Sequence, residues 1–249
     1  METTILGRTG RNVTEMGIGC GGPSRVGQRT GKDEAESVAI VRRALNAGVN
    51  VIDTAEGYDT EGIVGQAIQG FDRSRLVIST KKSTWQGITP EDVEASLDAS
   101  LERLGTDYVD IYHLHGVILE DYEYLHTDIV PTMRRLRDAG RIRHLALSER
   151  FNADPGHAML RRALQDDVWD VVMVGFNLIN QSARERVFPI TREKGVGTLI
   201  MFAVRHALSD RARLREVIDD LIEKGQLDPA EIDRDDPLGF LVREGSAVS

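Results

Sequence analysis

A short apolar run, a polar loop and a capped helix recur along this chain at roughly 25–35-residue intervals. The apolar runs are Met16–Ile18, Val49–Asp53, Leu76–Thr80, Tyr108–His115, Ile142–Ser148, Val171–Phe176 and Val196–Phe202. Their continuous apolar character fits strands covered on both faces rather than half-exposed ones. The segments between them open with helix-start signals. Asp33 precedes Glu34 and Glu36, Thr89-Pro90-Glu91-Asp92 combines a cap, a proline and two acids, Asp154-Pro155 repeats the device, and Ser182 stands before Ala183–Lys194. Such alternation argues for parallel strands with helices outside them, as a (β/α) barrel or as an open doubly wound sheet. A hairpin around Arg8-Thr9-Gly10-Arg11 precedes the first strand, and Ser209–Lys224 reads as an amphipathic helix after the last. Beyond it come the Asp/Pro-rich residues 228–237 and the short apolar piece Leu238–Val242, the one candidate for an eighth strand. Seven strands alone would leave two unpaired edges.

The 249 residues are enough for one large α/β domain, expected to span 1–249. Acids and bases are interleaved under a net charge of −9, which provides no basic face for nucleic acid. No apolar run is long enough to cross a bilayer, and Met1-Glu2-Thr3-Thr4 lacks the features of a secretion signal, so a cytoplasmic setting is expected. The single cysteine, Cys20, excludes an internal disulfide and a Cys-rich metal site. Gly19-Cys20-Gly21-Gly22-Pro23 is no GxGxxG between strand and helix, so a Rossmann domain is poorly supported.

Polar residues gather at the C-terminal ends of the strand candidates, where α/β barrels carry their sites. Asp53 ends one strand and Tyr58 follows on its loop; the alternative is a helix cap and a packed ring. Lys81 ends the next strand, where a buried ammonium needs a partner, and Asp53 is the obvious one. Lys82 reads instead as a solvated lysine. In the following strand, alternation places Ile111, His113 and His115 on one face and Tyr112, Leu114 and Gly116 on the other, with His115 nearest the tip. A lysine beside a tyrosine favours the phenolate, so Lys81 is expected to lower the Tyr58 pKa from about 10. The four groups together suit protonating an oxygen while hydride reaches the adjacent carbon. Trp85 is a candidate substrate-pocket wall, and Tyr122, Tyr124 and His126 form an aromatic cluster in the loop after the fourth strand. A metal site built on His113, His115 and His126 is disfavoured by the Lys81 charge in the same mouth.

These residues resemble the aldo-keto reductase family over almost the whole chain. The hairpin Leu6-Gly7-Arg8-Thr9-Gly10, the signature Gly48–Tyr58, the lysine strand Leu76–Lys81, the stretch Ser100–His115 and Gly140-Arg141-Ile142-Arg143 carry the resemblance. It implies a (β/α)8 TIM barrel with an N-terminal hairpin, its eighth βα unit missing or incomplete. It also implies carbonyl reduction or alcohol oxidation with NADP, or less often NAD, and a small carbonyl or alcohol substrate. Carried over by position, the catalytic set is Asp53, Tyr58, Lys81 and His115, with Tyr58 as the acid/base. The cofactor-binding positions are Gly21, Asp53, Ser148, Asn177, Met201 and Phe202, and no metal is implied. Departures from the family pattern fall on the cofactor: Glu149 stands where Asn is common, Met173 where Gln is common, and Met201-Phe202 where a stacking tyrosine is usual. The chain reaches Arg243–Ser249 without the basic residues that grip a 2′-phosphate. The rival readings are a regulatory barrel that binds a nucleotide or protein partner, and a metal-dependent barrel hydrolase or isomerase.

Overall fold

The computed structural model describes residues 1–177, 180–203, 210–233 and 235–239. These fall into two compact units. The first holds residues 1–176 and 180–201; the second holds the described residues among 177–179 and 202–249.

In the first unit a hairpin, β1 (Thr3–Ile5) and β2 (Asn12–Thr14), precedes seven parallel strands. These are β3 (Ile18–Gly19), β4 (Val51–Asp53), β5 (Val77–Ser83), β6 (Val109–Val117), β7 (Ile142–Glu149), β8 (Val171–Gly175) and β9 (Gly197–Met201). They pair in strict chain order. Each crossover carries helix: α1 (Glu34–Asn46), α2 (Glu61–Ala67), α3 (Pro90–Leu104), α4 (Leu119–Tyr124), α5 (Val130–Asp138), α6 (Ala158–Ala163), α7 (Ala183–Arg186) and α8 (Phe188–Lys194). Parallel strands in sequence order with helices outside form the barrel type of the two sheets the alternation allowed, as the resemblance implied.

The period-2 alternation of the strands divides the core in two. Val51, Val77, Ile111, Ala146 and Val171 cluster with Leu6 and Val13 of the hairpin, which plugs the N-terminal end of the strands. Ile52, Ile78, Tyr112, Leu145, Leu147 and Val172 face the other way and pack with the helices. Continuing the first row up its strands reaches Asp53, Lys81 and His115. The polar groups singled out in the sequence are therefore at the top of this inner face.

Two helix starts follow the sequence closely. Asp33 with Glu36, and Thr89 with Asp92, each form a reciprocal capping box. Two others differ. The helix expected after Asp154-Pro155 begins only at Ala158, after His157 in a left-handed conformation, and the Asp154 carboxylate reaches over the turn to the Met159 N–H at 2.9 Å. The helix expected over Ala183–Lys194 breaks at Val187, because Pro189 has no N–H for the Glu185 carbonyl; Ser182 makes no side-chain cap bond. The strand expected to run to Phe202 stops at Met201, since Phe202 turns to φ 60°. Tyr122, Tyr124 and His126 lie not in a loop but on helix: α4 passes through a π turn, Leu125–Ile129, into α5.

The second unit contains α9 (Arg211–Glu223), whose N-cap Asp210 accepts from the Ala212 and Arg213 N–H groups. Ser209, most of Leu238–Val242 and all of Arg243–Ser249 lie outside the described residues. No helix among the described residues is long and apolar enough to cross a membrane.

Candidate active site

Three strand ends and one loop build the site. Lys81 is completely buried on β5. Its ammonium donates to both Asp53 carboxylate oxygens and to the Thr54 carbonyl, each at 2.6 Å, so all three N–H donors are used. Ser79, two residues earlier on the same inner face, donates to Asp53 Oδ1 at 2.7 Å. Lys82 points away and reaches Glu56 at 3.2 Å, a partly covered ion pair rather than a solvated lysine.

Tyr58 follows β4 on a short 3₁₀ turn, Glu56–Tyr58. Its hydroxyl stands 3.3 Å from His115 Nε2, with the two rings edge-on at 5.6 Å. The Lys81 ammonium lies 5.1 Å from the centre of the Tyr58 ring. The set Asp53, Tyr58, Lys81 and His115 is thus brought together. Gly21 lies against the other side of the tyrosine: a Cβ there would collide with the ring edge, so the phenol packs directly on backbone.

The electrostatics differ from the sequence expectation in one respect. Burial pushes the Tyr58 phenol above its ordinary value, Asp53 pushes it further, and Arg25 opposes them. The Lys81 charge is already answered by Asp53, so it does not act on the phenol as a bare cation. Burial, then Lys81, push His115 down to about 3. The same two causes push the fully buried His113 well below the usual histidine range. At neutral pH the mouth therefore presents a protonated phenol beside a neutral imidazole. Burial pushes the Cys20 thiol up to about 12, which makes it an inert packing group.

Trp85 is 62% exposed, with its ring 6.3 Å from that of His115 and the Arg150 guanidinium 5.0 Å from its centre. This places an aromatic ring beside His115. Ser148, on the inner face of β7, accepts the Gly116 N–H at 3.0 Å. Met173 is buried in β8, and Met201 ends β9 opposite Gly175. Asn177 and Phe202 fall in the second unit.

Glu149 faces away from this inner row. It accepts the Gly175 N–H at 2.8 Å and meets His157 Nδ1 at 2.9 Å, and His157 Nε2 lies 2.9 Å from Ser182 Oγ. Burial pushes the Glu149 carboxyl up, against the stabilising contacts of His157 and the Gly175 N–H. Ser182 Oγ also lies 2.6 Å from the Asn180 side-chain oxygen and 3.0 Å from the Pro155 carbonyl, acceptors that take its proton. It is thus no activated nucleophile, and the chain of three ties the loops after β7 and β8 together. Sequence reading missed His157, although a carboxylate ending a buried strand required such a partner.

The aromatic residues beyond β6 serve packing. Tyr122 is buried, stacks on His126 at 5.9 Å, donates to Asp166 at 2.7 Å and accepts from the Trp169 indole at 3.1 Å. No group of three or more His, Cys, Asp or Glu among the described residues is placed to hold a metal ion.

The chain as a whole is similar to known proteins. An NADH-specific methylglyoxal reductase of Escherichia coli is 27% identical over 220 residues, covering 79% of this chain and 65% of the relative. An L-galactose dehydrogenase of Arabidopsis thaliana is 28% identical over 207 residues, covering 80% and 64%. The holo form of an aldo-keto reductase from Bacillus halodurans superposes with a TM-score of 0.68 at 26% identity, covering 80% of this chain and 65% of that one. The chain thus spans slightly less than two thirds of the length of the curated relatives it matches. The aldo/keto reductase family model matches residues 15–221, and the chain belongs to that family.

Proposed function

We propose that this chain is an NAD(P)H-dependent oxidoreductase that interconverts a small aldehyde or ketone and its alcohol, with Tyr58 as the general acid/base. The observation that carries the reading is the convergence of a protonated phenol, a neutral imidazole and a fully satisfied lysine–aspartate pair on one inner face. Tyr58 gives its proton to the carbonyl oxygen in reduction. His115, uncharged, orients that oxygen through an Nε2–H hydrogen bond. Asp53 holds Lys81 in place, with its ammonium 5.1 Å from the centre of the phenol ring. Trp85 covers the substrate and limits access of water.

The residues present fit a nicotinamide: Met201 offers a soft apolar surface at the tip of β9, and the Ser148 hydroxyl lies on the inner face of β7. When bound, the nicotinamide supplies the hydride for the carbonyl carbon. Gly21, Asp53 and Ser148 would hold it in the first unit, with Asn177 and Phe202 assigned from the resemblance. NADP is the cofactor the resemblance favours; the relative described as NADH-specific makes NAD the alternative. The names of the two relatives direct the substrate reading to small oxo compounds and sugar hydroxyls. Small molecules are the partners proposed, and the cytoplasm the setting. Glu149, committed to His157, favours a second reading, a barrel that binds a nucleotide or protein partner with impaired turnover.

The test is a titration with NADPH and NADH followed by Trp85 and Trp169 fluorescence, then turnover of methylglyoxal with the reduced cofactor and of L-galactose with the oxidised one. Micromolar binding with turnover is expected. Tyr58→Phe should lower kcat by about 10²–10⁴-fold and leave cofactor affinity within about twofold. Retained turnover in that variant removes the assigned role, and binding without turnover of any carbonyl or alcohol favours the second reading.

A further inference from the structure

The segment joining β3 to α1 contains two successive residues in the left-handed region that side chains rarely adopt, Arg25 at φ 45° and Val26 at φ 50°. A third, Asp59 at φ 57°, directly follows Tyr58. Such conformations persist where their surroundings fix them, and they cluster at functional sites. A single guanidinium links them. Arg25 Nη1 donates to Asp59 Oδ2 at 2.6 Å, and Nη2 donates to the Gly57 carbonyl at 3.1 Å. Gln28 adds a bond to the Asp59 carbonyl at 3.3 Å. Tyr58 therefore stands between two residues gripped by one side chain, while Gly21 of the same segment closes against its ring.

Burial indicates which partner is the anchor. The Arg25 side chain is 18% exposed and Val26 is buried beside it, whereas the Asp59 side chain is 78% exposed. An exposed ion pair alone would contribute little. The second bond, to a backbone carbonyl, makes this one directional, because a planar guanidinium reaches both acceptors and an ammonium does not.

We propose that Arg25 is a positioning residue that sets the orientation of the Tyr58 phenol through Gly57 and Asp59. The proposal rests on Tyr58 being the proton donor. Displacing a reacting group by 1 Å costs about 10²-fold in rate, so the clamp acts on kcat more than on KM. The charge of Arg25 also opposes the burial that raises the phenol's pKa.

The test uses the full chain grown with 3-fluorotyrosine, whose five tyrosines give ¹⁹F resonances. Tyr58→Phe assigns the Tyr58 line. Arg25→Met and Asp59→Asn should each shift and broaden that line while those of Tyr112 and Tyr122 stay in place. The double variant should go no further than Arg25→Met, and Arg25→Lys should fall between it and the parent. With a substrate that turns over, Arg25→Met should lower kcat about tenfold or more with KM within about twofold. An unmoved Tyr58 line in Arg25→Met, or additive effects in the double variant, overturns the clamp. Should Arg25→Met disturb all five lines, Asp59→Asn decides alone, and a silent Asp59→Asn overturns it. A shifted line in Arg25→Met together with an active Tyr58→Phe would leave the clamp standing and remove the role of Tyr58. An unmoved line with an inactive Tyr58→Phe would do the reverse.

Discussion

Lys81 and Asp53 show how a charge is tolerated inside an apolar barrel. The ammonium is completely buried and satisfied by three oxygens, while the carboxylate keeps 19% of its side chain exposed. The two partners are therefore not equivalent. Asp53→Asn leaves a positive charge with no counter-charge, expected to cost about 3–5 kcal/mol in urea unfolding. Lys81→Met leaves a carboxylate that can still meet water, and should cost less. The double variant should recover part of the Asp53→Asn loss; additivity would show that the two do not interact. The pH dependence follows from the same burial. With the His115 imidazole pushed down to about 3 and the Tyr58 phenol pushed above its ordinary value, neither changes charge between pH 5 and 9. The kcat of carbonyl reduction should be flat across that range. A limb centred near 6.5 would show His115 titrating, and a fall above pH 8 would show Tyr58 ionising. The residue identities of this set were legible in the sequence, Asp53, Lys81 and His115 as polar groups at the ends of apolar runs and Tyr58 as the phenol on the loop after Asp53. The direction of the phenol's shift was not, because it is set first by the burial of a loop residue and then by Asp53, and the sequence does not show how deeply that loop is covered. Nor was the Arg25 clamp, which joins residues 34 apart through a loop with no periodic pattern.

Helix starts were readable wherever the cap is local. Asp33 with Glu36 and Thr89 with Asp92 satisfy each other's backbone donors within one turn. They failed where the device spans a turn, as for Asp154 acting on Met159, or where a proline interrupts, as at Pro189. Packing between helices left a subtler trace, in glycine. Gly65, within α2, lies so close to α3 that a Cβ would stand 2.5 Å from the Arg103 carbonyl and 2.9 Å from that of Leu104. Gly62, three residues earlier in the same helix, has nothing within 4 Å of a Cβ. The two positions should therefore respond oppositely to one substitution. Gly62→Ala should stabilise by about 0.5–1 kcal/mol through backbone entropy. Gly65→Ala should destabilise by about 1–3 kcal/mol, because the collision is with backbone rather than a movable side chain. Thermal unfolding of the pair checks this, and equal responses would mean that α2 and α3 are not in close contact.

The order of the strands is the most sequence-determined feature of the first unit, because a strand covered on both faces is written as an uninterrupted apolar run. What the runs do not encode is how the sheet ends. Among the described residues β3 and β9 stand at its two margins, and β3 has two residues paired with β4 and no other strand. A groove of about 430 Å³ borders β9, lined by Ile5, Leu6, Phe188, Val196 and Ile200. The central strands β5, β6 and β7 have partners on both sides, and β6 pairs with β5 over five residues and with β7 over six. Opening a central strand therefore requires breaking two ladders and exposing both cores, whereas opening a margin breaks one. Hydrogen exchange should reflect this difference. Amides of β6 should exchange only with global unfolding, and those of β3 and β9 should exchange about 10²-fold faster, an opening free energy about 3 kcal/mol lower. The site would inherit that gradient: Lys81 and His115 sit on the most protected strands, and Met201 on a margin. The proposed cofactor side of the site should then loosen before the proposed proton-donating side does. Equal protection of β9 and β6 would instead mean that β9 is covered by further chain or by a second copy. Repeating the exchange across a hundredfold dilution separates these, since only protection by a second copy is lost as concentration falls.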